Sequence, residues 1–99
     1  MAEVPTTVIV KEMGFTHKDF YRDIDRVLGV DGYDLTANGV VSEDGDKRLQ
    51  IDLSDQTERK IALFTLPVTR VSLTFGGYDE AEIKTFMALY DRVFRRGGG

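Results

Sequence analysis

Arg48, Arg59, Lys60 and Arg70 are the side chains whose type and spacing best suit them to chemistry. They fall on or beside neighbouring expected strands, among Ser72, Thr65, Thr69 and Thr74. A basic sheet face rich in hydroxyls can hold an acidic protein partner or the phosphates of a nucleic acid. The competing assignment is structural: cross-strand pairing with Asp52 and Glu58, and edge charges that block aggregation.

The other candidates are weaker. His17 is the one histidine, expected at the start of a helix without a thiol or a nearby serine to act on. Glu43-Asp44-Gly45-Asp46 resembles a fragment of a calcium loop. The twelfth position counted from Asp44 is Asp55, however, and the strand residues Leu49, Ile51 and Leu53 intervene. A hairpin turn is the expectation there, with no metal. Gly76-Gly77 precedes a helix, but Asp79, Glu80 and Glu82 give that helix end a negative charge that repels phosphate. No pair of carboxylates converges by sequence spacing, and no cofactor motif is present. Catalysis is therefore not expected.

Composition narrows the class. The chain has 99 residues, 41% hydrophobic and 30% charged, which predicts one globular domain over 1–96 with a disordered glycine tail at 97–99. There is no cysteine, which excludes disulfides and thiolate chemistry. No apolar run has membrane-spanning length and no leader pattern opens the chain, so a soluble cytoplasmic protein is expected. The net charge of −4 divides unevenly: residues 1–55 carry −6 and residues 56–99 carry +2. The acidic total argues against nucleic acid as the principal partner.

The elements follow from patterning. Thr6–Met13 is β-branched and reads as a strand. Thr16 is an N-cap with Asp19 as its capping-box partner, and Phe15 and Phe20 form a staple. The helix then buries Phe20, Ile24, Val27 and Leu28 and stops at Gly29. Asn38-Gly39 and Asp44-Gly45 predict hairpins joining strands at 33–37, 40–42 and 48–53. Ile61–Leu66 reads as a central strand, Leu66-Pro67-Val68 as a tight turn and Val71–Phe75 as the next strand. A final helix starts at Asp79, with Glu82 completing its capping box. It carries the stripe Ile83, Phe86, Met87, Tyr90, Val93, Phe94 and ends at Gly97. The fold class is α+β: a two-layer sandwich, β-α-β(4–5)-α, with a largely antiparallel sheet and both helices on one face.

This order resembles that of the TATA-binding-protein-like folds; the likeness is in element order, does not fix function, and adds nucleic acid, as bound by the fold's namesake, to the ligands a basic sheet face could hold. The run Arg59-Lys60-Ile61-Ala62-Leu63-Phe64-Thr65-Leu66-Pro67-Val68-Thr69, with Phe86, Tyr90-Asp91 and Phe94-Arg95-Arg96-Gly97-Gly98-Gly99, is similar to a family of small uncharacterised bacterial proteins. So is Met13-Gly14-Phe15-Thr16-His17. That resemblance implies no activity, and no functional residue carries over.

The expected function is a non-enzymatic binding or adaptor module for a protein partner, using an exposed sheet face around Arg48, Arg59, Lys60 and Arg70. One alternative is a small-ligand or regulatory domain with a pocket between the layers, lined by Phe64, Phe75, Phe86 and Tyr90. A second is nucleic-acid binding. Phe94 with Arg95-Arg96 is a further candidate contact to another subunit.

Overall fold

The computed structural model describes residues 6–95. The expected glycine tail and Arg96 lie outside the described residues. Along the chain come β1 (Thr6–Met13), α1 (His17–Asp23), α2 (Asp25–Leu28), β2 (Asp34–Leu35), β3 (Gly39–Asp44) and β4 (Lys47–Leu53). β5 (Thr57–Ile61), β6 (Phe64–Gly76) and α3 (Glu80–Arg95) complete it. The strands form an antiparallel sheet in the order β1-β6-β4-β3-β2, and β5 pairs with the first part of β6. The fold is mixed α+β, as expected. No described helix is long and apolar enough to cross a membrane.

Capping fixes where the helices begin. The Thr16 hydroxyl accepts the Asp19 amide, and the Asp19 carboxylate accepts the Thr16 amide. Asp79 and Glu82 make the same reciprocal pair before α3. The Asp79 amide, and then Lys47, hold the Glu82 carboxyl below its ordinary range. The first helical segment breaks at Ile24 into α1 and α2.

Alternation decides the two faces of the sheet. Thr69, Val71, Leu73 and Phe75 of β6 are buried, as are Leu49, Ile51 and Leu53 of β4 and Val40 of β3. Their register partners on β1 are Met13, Lys11, Ile9 and Thr7. This face meets Phe15, Phe20, Ile24, Tyr90 and Phe94 from the helical layer. Each such side chain contributes on the order of 1.5–3 kcal/mol by leaving water. Thr69, fully buried, donates its hydroxyl to the Phe15 carbonyl at 2.9 Å, tying β6 to the chain between β1 and α1.

Three expectations need correction. Leu66-Pro67-Val68 is not a turn, because β6 runs unbroken through it for 13 residues. Pro67 is tolerated there because residues 64–68 of β6 pair only with β5, where a missing donor leaves no central ladder broken. Ile61–Leu66 is likewise not a central strand. The chain reverses at Ala62-Leu63, and β5 with the start of β6 makes a hairpin arm. Phe94, expected as a candidate subunit contact, is 1% exposed and belongs to the core.

The arm's turn is strained. Ala62 sits at φ +54, the left-handed region that costs an alanine about 1–2 kcal/mol. Ala62→Gly removes that cost and adds back part of it as unfolded-chain entropy. The expected result is a gain of about 0.5–1 kcal/mol. It is read as slower amide exchange in β5 and the start of β6.

Candidate functional site

The face of the sheet away from the helices carries the even positions of β1 and β6. Val8 pairs in register with Thr74, Val10 with Ser72 and Glu12 with Arg70. On the far side of β6, Gln50 stands opposite Thr74 and Asp52 opposite Ser72. Val8 and Val10 are more than half exposed. The same alternation carries Leu66 and Phe64 of the arm onto this side. Arg59, opposite Leu66, confirms it by reaching Glu12, which belongs to the helix-free face.

The arm carries three exposed apolar groups, and others stand elsewhere at Val30 and Leu35. Leu63 is 99% exposed, Phe64 69% and Leu66 46%. Phe64 therefore does not line a pocket between the layers, as the alternative reading had it. Phe75 and Tyr90 are buried, and Phe86 packs against both, with ring centroids at 5.5 Å and 6.2 Å. The Tyr90 hydroxyl is buried among these rings without a hydrogen-bond partner among the described residues. Burial, then the neighbouring Asp91 charge, pushes its pKa well up.

The four basic residues are partly brought together. Arg59 donates to one Glu12 oxygen at 3.1 Å, and Arg70 lies 3.5 Å from the other. Both guanidinium groups are more than half exposed, as is half of Glu12, so each pair contributes at most about 1 kcal/mol. The trio orients the arm against β1 more than it stabilises the fold. Lys60 is exposed and pairs in register with Thr65, which turns it to the other side of the arm. Arg48 stands apart, opposite Gly76 and Glu43. At ~3.3 Å per residue along β6 it is roughly 20 Å from Arg70. The expected partners Asp52 and Glu58 do not hold these arginines. Gln50 donates to Asp52 instead, and Glu12 does the pairing. Nothing in the local sequence marks Glu12; only the β1–β6 register places it there.

Beside the trio lie two shallow recesses. One, of about 170 Å³, is lined by Glu12, Met13, Gly14, Arg59, Leu66, Pro67 and Val68. The other, of about 380 Å³, has Ser54, Thr57, Val68 and Arg70 on its walls. Their walls offer apolar surface, arginine donors and a carboxylate, a set suited to recognition. His17 serves elsewhere as a clamp. Its Nε2–H donates to the Ser54 carbonyl at 2.7 Å, while its backbone amide donates to Gln56. It thereby pins the start of α1 to the crossing between β4 and β5. Asp44, Gly45 and Asp46 form the β3–β4 turn, with Gly45 at φ +63. Among the described residues, no group of histidines and acids could hold a metal ion.

Compared with protein-family models, curated proteins and solved structures, the chain matches none.

Proposed function

We propose that this chain is a non-enzymatic binding module that holds a protein partner on its helix-free sheet face and the arm continuing it. The observation that carries the reading is the exposure of Val8, Val10, Phe64 and Leu66 on one side of the molecule, with Arg59 and Arg70 between them. Apolar anchors ringed by arginine are the composition of protein-recognition surfaces. The partner that fits is a protein segment with apolar side chains and carboxylates. Those carboxylates would compete with Glu12 for the two guanidinium groups.

The test is site-specific photo-crosslinking from position 64 and, as a control, from the exposed position 85 on α3. Crosslinks are expected from 64 and not from 85. Arg59→Glu with Arg70→Glu is expected to weaken the captured complex by about tenfold or more. Crosslinks confined to position 85, or a complex indifferent to both reversals, would remove the reading. A strongly salt-dependent shift with duplex DNA would replace it with nucleic-acid binding.

A further inference from the structure

Asn38 is the chain's one asparagine, and glycine follows it. It stands in the short link between β2 and β3, which two backbone bonds hold. The Leu53 amide donates to the Asn38 carbonyl at 2.8 Å, and the Thr36 amide to the Gly39 carbonyl at 2.9 Å. Strand alternation then places the next group. Asn38 turns its backbone toward β4, so the Gly39 amide, one residue on, points away from β4. No bond returns from that amide to Thr36 among the described residues. Gly39 is buried, but the Asn38 side chain is exposed. Its carboxamide has no hydrogen-bond partner among the described residues. It borders an open polar recess of about 360 Å³, whose other polar walls are His17, Tyr21, Ser54 and Asp55. An electrophilic carboxamide, an unbonded amide nitrogen and access for water thus meet in one place. The glycine has no Cβ to hinder the approach of one to the other.

We propose that Asn38 modifies itself: its carboxamide closes onto the Gly39 nitrogen, and the chain is left with aspartate or isoaspartate at that position. The Gly39 nitrogen forms a bond to Asn38 Cγ, the Cγ–Nδ2 bond breaks, and the Gly39 proton leaves with Nδ2 as ammonia. Water then opens the cyclic imide. Attack at Cγ gives aspartate on an ordinary backbone. Attack at the main-chain carbonyl gives isoaspartate, with one methylene added to the backbone. No electrons are transferred, and water is the only co-reactant. The ring requires Asn38 to rotate, which breaks its bond with Leu53 and disturbs the bond from Thr36. Both bonds lie beside the two-residue edge strand β2, where local opening is cheap. At the ordinary worth of such bonds, opening both slows the reaction by no more than about a hundredfold relative to an unfolded chain. The consequence follows from the fit at Gly39. A Cβ there would lie 1.9 Å from the Ile51 carbonyl oxygen, so β3 has no slack for an added methylene. Isoaspartate therefore parts the start of β3 from β4. Aspartate keeps the ladder and sets a new carboxylate beside Asp55 in the recess.

β2 and β3 lie at the opposite side of the sheet from β1, so the inference stands apart from the proposed function. The experiment ages the full chain at neutral pH, folded and in urea, and maps its peptides by mass. Conversion raises the mass of the Asn38 peptide by one unit, and hydroxylamine cleaves the imide between 38 and 39. In the folded chain conversion is expected within about a hundredfold of its rate in urea. Asn38→Gln, which would need a larger ring, is expected to keep its amide. In the isolated isoaspartate form the Leu53 amide should exchange freely, while Val71 and Leu73 keep their protection. Folded conversion slower than that bound would overturn the proposal, because only global unfolding, a cost of about a thousandfold or more, would then open the site. So would loss of the side-chain amide from Asn38→Gln at the native rate, or an isoaspartate form in which Leu53 stays fully protected.

Discussion

Phe94→Ala is expected to cost about 3–5 kcal/mol of stability, the range for an aromatic removed from a closed core. Phe94 is 1% exposed. Its ring stacks on Phe20 at 5.7 Å and meets Phe15 edge-on at 5.3 Å, and Tyr90 approaches at 4.7 Å. One side chain thus joins α1, the segment before it and α3. Removing it leaves a cavity that three rings on separate segments cannot close together. A domain of this length holds about 5–15 kcal/mol in total, so the loss takes a large share. The check is urea unfolding followed by dichroism: the midpoint should fall steeply while the slope stays constant. Phe94→Leu, which keeps most of the volume, should lose much less. A cost under about 1 kcal/mol for the alanine variant would mean that α3 does not pack on α1 through this residue.

Gly39→Ala is expected to cost about 3 kcal/mol or more, although it adds only a methyl group. A Cβ at Gly39 would lie 1.9 Å from the Ile51 carbonyl oxygen and 3.3 Å from the Asp52 Cα. Both are backbone atoms of β4, so no side chain can swing away. The clash is relieved only by parting β3 from β4. Asn38 is caught in the same place, its carbonyl accepting the Leu53 amide at 2.8 Å. The measurement is hydrogen exchange: protection should fall first at Val40, Val41 and Leu53. Gly45→Ala is the control. It faces open space at φ +63, and should cost only the ~1–2 kcal/mol of a left-handed alanine. Equal effects from the two variants would deny the close approach of β3 and β4.

Much of this architecture is legible in the residues, because local rules govern it. Thr16 with Asp19, and Asp79 with Glu82, announce their helices by capping chemistry alone. Leu49, Ile51 and Leu53 announce a strand by period, and Val71, Leu73 and Phe75 announce another. The arm was hidden because its signals point the wrong way. Pro67 looks like a turn residue and sits within a strand. Ala62 looks like a strand residue and makes the turn, in a conformation its side chain disfavours. Apolar residues at 63, 64 and 66 suggest burial, yet they face water. The candidate site was half legible for a related reason. Arg59 and Arg70 can be recognised as members of one basic set, but the carboxylate that joins them comes from β1, 47 positions before Arg59. Arg48 shares their sign and their face and still lies at the far end of β6.

The pairing of β1 with β6 also sets the order in which the chain can be completed. β1 is synthesised well before its register partners, Thr69–Gly76, which lie 56 (Met13 to Thr69) to 70 (Thr6 to Gly76) positions further along the chain. Non-local pairing of this kind is slow, since loop closure must precede any gain from contact. At the ribosome's ~5–20 residues per second, the first strand waits seconds before its neighbour exists. During that interval both of its edges are open, and Val8, Ile9 and Val10 have no sheet to join. The β1–β6 ladder is thus both the seam that closes the sheet and the step at which a nascent chain is most exposed to pairing with the wrong neighbour.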